Sequence, residues 1–299
     1  MSTVSIEPDL RNADTRRHAA FTVPLPRGSA LELGPAPVVM GILNVTPDSF
    51  SDGGAFFDAG AAIAHARRMA EDGADIIDIG GESTRPGAIE VPVQDELDRV
   101  IPALEALTSL GLATPLSIDT YKALVADQAA QSGAVLINDV HGLQRDPEIA
   151  DVAALHNIPV VAMHWDAERD RGKPIVDEMR RYFDRSIAIA DRAGIARDRL
   201  ILDPGFGFAK SFAENYALLR DLPLLSAYGL PLLVGMSRKS MIGKLLGNET
   251  SERLAGSVAT SVLAYMAGAH IFRVHDVRAN RDALRVAEAT LYGPPQQEA

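Results

Sequence analysis

Polar and ionisable residues recur along the chain directly after short apolar runs. They are Asn44, Glu82, Asp119, Asn138 with Asp139, His164, Asp203, Ser237-Arg238-Lys239 and Arg273-Val274-His275. One such residue alone reads as a helix cap or a turn former, and that reading suits Glu82 and Asp139. The whole set spans more chemistry than caps require. Asp119, Asn138 and Asp203 supply acceptors, and an Asp carboxylate can take two parallel N–H donors from the edge of a guanine-like or pterin-like ring. Lys239, Arg273 and His275 supply donors and positive charge, suited to an anion such as a diphosphate. Asn44 offers a hard carbonyl oxygen, an acceptable Mg²⁺ ligand beside phosphate oxygens. The two sets together suggest a planar heterocycle carrying a phosphate leaving group.

The elements that must position these residues alternate in type. Apolar, β-branched-rich runs cover 38–45, 75–80, 116–119, 135–140, 160–163, 200–203, 232–236 and 271–274. They are nearly continuous in hydrophobicity, as strands buried on both faces should be. Between them, 62–69, 97–107, 123–131, 187–193 and 255–266 repeat apolar residues at helical spacing. Eight strand–helix units in this length predict a closed (β/α)8 TIM barrel of the α/β class, with the polar strand ends converging on one face. An open doubly wound sheet would carry a glycine fingerprint after its first strand, where this chain has Asn44-Val45-Thr46-Pro47-Asp48. The expected division is a short variable N-terminal extension, 1–36, with a strand or hairpin near its end, and a barrel domain over 37–293. Residues 165–174 are rich in charge and read as a solvated loop.

Composition narrows the function classes. The chain has 299 residues, a formal net charge of −11 and no Cys. Disulfides, thiolate zinc sites and cysteine nucleophiles are excluded. An acidic surface is a poor partner for nucleic acid or an anionic membrane. No run of about 18 apolar residues predicts a membrane span. Residues 1–36 mix acids and arginines without an apolar signal core, so a cytoplasmic location is expected. Motifs for dinucleotides, P-loop phosphates and zinc proteases are incomplete or missing. His65 and His156 fall on helical stretches and read as ordinary surface or core histidines.

Two loops, 44–54 and 80–87, mix Gly, Pro, Ser and Thr with a few reactive side chains, as substrate-covering loops do. With these the sequence resembles the dihydropteroate synthase family. The resemblance rests on NVTPDSFSDGG at 44–54, DIIDIGGESTRPG at 75–87, SIDT at 117–120, INDV at 137–140, LDPGFGF at 202–208, SRKS at 237–240 and RVHDV at 273–277. These motifs follow in family order from about 38 to 290. The resemblance implies a barrel that joins a dihydropterin-CH2-diphosphate to p-aminobenzoate, with Mg²⁺, as a homodimer, and that sulfonamides would compete with p-aminobenzoate. It implies that Asp119, Asn138, Asp203 and Lys239 hold the pterin, and that Met163, Phe208 and Gly235 line its pocket. Asn44 would bind the metal, and Asn44, Arg273 and His275 the diphosphate. Phe50, Thr84, Arg85, Pro86 and Ser240 would surround p-aminobenzoate, with Ser240 opening a helix. Asp119, Lys239 and Arg273 would carry the chemistry.

The sequence departs from the family after its fifth strand. A His-x-Gln-Gly-x-Pro-like loop is replaced by Met163-His164-Trp165-Asp166-Ala167-Glu168-Arg169, and no role is expected of His164. The alternatives are a pterin-dependent methyltransferase on the same barrel and a non-catalytic pterin-binding homologue.

Overall fold

The apolar runs become eight parallel strands of one sheet. The computed structural model describes residues 18–46, 59–83 and 89–295. An antiparallel hairpin, β1 (Phe21–Pro24) and β2 (Ala30–Leu33), precedes the sheet. The sheet contains β3 (Val38–Asn44), β4 (Ile76–Gly80), β5 (Leu116–Asp119), β6 (Leu136–Asp139), β7 (Val160–Met163), β8 (Leu200–Asp203), β9 (Leu233–Val234) and β10 (Ile271–Val274). β3 to β8 pair in sequence, and β10 lies between β3 and β9. The barrel closes through a bridge between Leu202 and Leu232 and a 3.0 Å hydrogen bond from Leu202 N–H to the Pro231 carbonyl. With so little pairing toward β8, the expected strand over 232–236 is a ladder of only two residues.

Side-chain alternation sorts the barrel into an outer and an inner set. Val39, Leu43, Ile77, Ile79, Ile118, Ile137, Val160, Leu200, Leu202, Phe272 and Val274 belong to the main core, shared with the surrounding helices. The helix Ile175–Ala193 shows how these are specified. Met179, Phe183, Ile187 and Ala190 recur at three and four residues and are buried, Asp177 and Glu178 stand in its first turn, and Gly194 ends it at φ 84°. The inner set near the N-terminal mouth is apolar: Met40, Ile76, Leu136, Val161, Ile201, Leu233 and Ile271. Val23, Leu25, Leu31 and Leu33 of the hairpin pack on that set and cap the mouth. Two residues further along the strands, on the same inward side, stand Asp78, Asn138, Asp203 and Arg273. The barrel interior therefore changes from apolar to charged toward its C-terminal end. Among the described residues no helix is long and apolar enough to cross a membrane.

Candidate active site

Sheet register places the first half of the site. Asn44 is paired with Gly80, Gly80 with Asp119, and Asp119 with Asn138, so these positions form one row across four strands. Met163 is paired with Asp203. Asn44 is half-buried, while Asp119, Asn138 and Asp203 are buried.

Arg273 enters this row from β10. Its Nε donates to Asp78 Oδ2 at 2.6 Å and its Nη2 to Asp119 Oδ2 at 2.6 Å. Asn138 Nδ2 donates to the same Asp78 oxygen at 3.0 Å. Asp78 is completely buried. Its site on the middle of β4 makes it the keystone that joins Arg273 to Asn138. It stands inside an apolar run rather than at a strand end, so the pattern of polar strand ends does not include it. The available signal was alternation: Asp78 precedes Gly80 by two in Ile76-Ile77-Asp78-Ile79-Gly80, so it shares the inward side. Asp78 Oδ1 and Asp119 Oδ1 have no hydrogen-bond partner among the described residues and remain as buried acceptors.

The second half is built by two strained turns. After β8, Gly205 and Gly207 lie at φ 66° and 83°. A Cβ on Gly205 would stand 2.2 Å from the His164 carbonyl oxygen, so only glycine fits. The turn is closed by Gly205 N–H donating to Asp203 Oδ1 at 2.7 Å. Lys210 Nζ donates to the carbonyls of Gly205 at 2.7 Å and Phe208 at 3.0 Å, and lies 3.0 Å from His164 Nδ1. After β9, Arg238 takes φ 59°, a costly conformation for a residue with a side chain. A bidentate pair with Asp276 (2.9 and 2.5 Å) and bonds to Ser257 and Arg253 hold it there. The turn sends Lys239 inward. Its Nζ donates to the Phe206 carbonyl and lies 4.5 Å from the centroid of the Phe208 ring.

Electrostatics follow from burial. Burial holds the Asp119 carboxyl up at about 7, against the pull of the Arg273 guanidinium. It also raises Asp203, against Lys239. The Lys239 ammonium is brought down to about 8 by burial, with Asp203 opposing. Burial lowers Arg273 too, but the Asp78 and Asp119 carboxylates outweigh it and keep the guanidinium charged. The layer therefore holds groups that titrate close to neutrality and one permanent cation.

The remaining expected residues fall as follows. His275 Nδ1 lies 3.1 Å from Ser237 Oγ, which joins the end of β10 to the turn after β9. Ser240 is the first residue of the helix Ser240–Leu246 and is exposed. Gly235 has Arg273 Cβ 3.7 Å from where its own Cβ would be, an ordinary contact. Phe50, Thr84, Arg85 and Pro86 lie outside the described residues. Asp139 is a turn former, accepting from the N–H groups of His141 (2.8 Å) and Leu143 (2.6 Å). Glu82 pairs with Lys122 at 2.6 Å and accepts from Tyr121 at 3.0 Å. His164 is buried and kept neutral, pushed down to about 2 by burial and by Lys210.

Among the described residues no cluster of three His, Asp or Glu side chains could hold a metal. Asn44 is a single amide oxygen near Gly80 and Asp119. That donor set fits Mg²⁺ carried mainly by phosphate oxygens and water, the usual mode for this cation.

Known proteins resemble the chain closely. The family described as "Pterin binding enzyme" matches residues 40–275. Dihydropteroate synthase of Escherichia coli K12 is 50% identical over 271 residues, covering 89% of this chain and 95% of that protein. Dihydropteroate synthase of Xanthomonas albilineans, solved with 4-aminobenzoic acid, superposes with a TM-score of 0.83 at 50% identity, covering 88% of this chain and 96% of that one. The same enzyme solved with 7,8-dihydropteroate gives 0.79 at 49% identity, over 86% and 95%. With identity this high over nearly the whole of both chains, and the same barrel, the chain belongs to the dihydropteroate synthase family of pterin-binding enzymes.

Proposed function

We propose that the chain condenses 6-hydroxymethyl-7,8-dihydropterin diphosphate with p-aminobenzoate, giving 7,8-dihydropteroate and diphosphate. The observation that carries this reading is the inward polar layer, in which buried Asp119, Asn138 and Asp203 present acceptors beside Lys239 and Arg273. The solved relatives with 4-aminobenzoic acid and 7,8-dihydropteroate support it. Asp203 and Asn138 take the donor edge of the pterin, with Met163, Phe208 and Gly235 around the ring. Lys239 donates to a ring acceptor and neutralises Asp203.

In the reaction the methylene C–O bond breaks and its electron pair leaves with the diphosphate. The aniline nitrogen forms the new C–N bond and gives its proton to solvent. As the C–O bond lengthens, positive charge grows on the pterin methylene, and the Asp119 carboxylate stabilises it. Arg273 and His275 face the departing anion. Arg273 also orients Asp119, so it serves both ends of the breaking bond. Asn44 would hold Mg²⁺ beside the diphosphate, where the cation would add to the neutralisation of the leaving group. Phe50, Thr84, Arg85, Pro86 and Ser240 are assigned to p-aminobenzoate, and a homodimer to the assembly, on family resemblance.

The test is product analysis by mass spectrometry after incubation with both substrates and Mg²⁺. Dihydropteroate should form, and omission of p-aminobenzoate should abolish it. Pterin binding without any product would instead favour a non-catalytic pterin-binding protein.

A further inference from the structure

The loop that replaces the family pattern after β7 is built rather than merely solvated. Asp166 is held by Arg181 at 3.2 Å and Arg185 at 3.6 Å. The buried Arg169 pairs with Glu214 at 2.5 Å, and Asp170 N–H donates to Glu178 at 3.1 Å. These contacts fix Trp165, the only tryptophan of the chain. Its indole stacks on His141, with centroids 4.4 Å apart and planes 11° apart. It also meets the Phe208 ring, at 4.9 Å and tilted by 50°. Phe208 is the ring beside Lys239 Nζ, at 4.5 Å. Both rings pack on the small cluster of Tyr121, Val140 and Met163. Trp165 therefore joins the loop after β6 to the loop after β8, between which the proposed pterin lies. Burial and Arg145 bring His141 down to about 4, so the stack is uncharged near neutral pH.

We propose that Trp165 is a positioning residue of the pterin pocket: fixed between His141 and Phe208, it sets the plane of the Phe208 ring against which a flat bicyclic ligand and the Lys239 ammonium lie. The proposal rests on the pterin reading of the site. Its physical basis is that aromatic pairs have preferred offset and tilted geometries, which an aliphatic side chain of similar bulk does not impose. Loss of the flat partner frees the Phe208 ring to turn, and the cost falls on the ligand that uses its face. The p-aminobenzoate end, assigned to other loops, is not in this chain of contacts.

The experiment uses the full chain and 6-hydroxymethylpterin, the pterin alcohol, in calorimetric titrations well below the melting temperature. Wild type, Trp165→Phe and Trp165→Leu are compared, with KM for p-aminobenzoate measured alongside. Trp165→Leu is expected to weaken the alcohol about tenfold, and Trp165→Phe to restore it to within about threefold, corresponding to the range for one aromatic pair. KM for p-aminobenzoate should stay within about twofold. Equal affinity in wild type and Trp165→Leu overturns the proposal, as does an equal loss in Trp165→Phe and Trp165→Leu. If Trp165→Leu does not fold, His141→Ala carries the test, with an expected loss of about threefold; unchanged affinity there overturns it. Failure of the wild type to bind the alcohol refutes the pterin reading itself, an outcome distinct from failure of Trp165.

Discussion

Replacing Arg273 with Met removes a cation that two buried carboxylates share. Asp78 is fully buried, and its Oδ1 already has no hydrogen-bond partner among the described residues. Asp119 is nearly as buried and loses its counter-charge at 2.6 Å. Breaking a buried ion pair from one side costs about 3–5 kcal/mol. At roughly 2–4 °C per kcal/mol for a large domain, the melting temperature should fall by about 6–20 °C near pH 8. The loss should depend on pH, with a definite sign. Asp119 titrates in the fold at about 7, above its ordinary value of 3.8. The folded state therefore holds a proton that the unfolded chain has released, and this group's contribution declines as pH rises through that window. Without Arg273 the window extends to higher pH. At pH 5 Asp119 is protonated in wild type and variant alike, so its share of the penalty is absent there. The gap between wild type and Arg273→Met should be at least twice as large at pH 8.5 as at pH 5, read by scanning calorimetry. Adding Asp78→Asn to the variant should recover part of it. A gap of equal size at both pH values would refute the assignment of Asp119 as a buried partner of Arg273.

Four further outcomes follow from the geometry. Asp203→Ala should weaken the pterin alcohol by about 10- to 150-fold in calorimetry, the equivalent of a lost charge-assisted hydrogen bond of about 1.5–3 kcal/mol; unchanged affinity removes Asp203 from the site. The pH profile of kcat/KM should be bell-shaped, with limbs near 7 for Asp119 and near 8 for Lys239, and Lys239→Arg should move the alkaline limb upward while leaving the acid limb in place. Gly205→Ala should destabilise the fold by more than about 1 kcal/mol and weaken pterin binding, because φ 66° and the His164 carbonyl both exclude a side chain; a wild-type melting temperature would show that the turn relaxes freely. Asp276→Ala should lower kcat more than it raises KM for p-aminobenzoate, since it releases the strained Arg238 that aims Lys239; an unchanged kcat would mean that the turn holds without Asp276.

The barrel was legible because strands buried on both faces leave long apolar runs, and because most of the polar residues inside those runs stand where the interior turns polar. Asn44, Asp119, Asn138, Asp203 and Arg273 were visible on that ground. Asp78 was not, since it stands inside a run and is revealed only by counting inward positions. Asp139 and Glu82 show the opposite case: both are polar strand-end residues, and both satisfy turns and neighbouring loops instead of pointing into the barrel. The anchoring of 165–174 could not be read locally, because its partners Glu178, Arg181, Arg185 and Glu214 come from other segments. The brevity of β9 also depends on a distant event, the closure against β8. The N-terminal hairpin was expected near the end of the extension, but its burial against Ile201 and Ile271 is a contact between distant parts of the chain.

In the proposed reaction the inward polar layer binds the pterin substrate and drives its condensation. Diphosphate release, followed continuously with both substrates and Mg²⁺, tests it most directly, with wild type and Asp119→Asn run side by side. Wild type should release one diphosphate per dihydropteroate formed, and Asp119→Asn should be slower by at least about a hundredfold, the scale for losing one electrostatic stabiliser of the transition state. Diphosphate release at wild-type rate in Asp119→Asn, or none from wild type, would contradict the account.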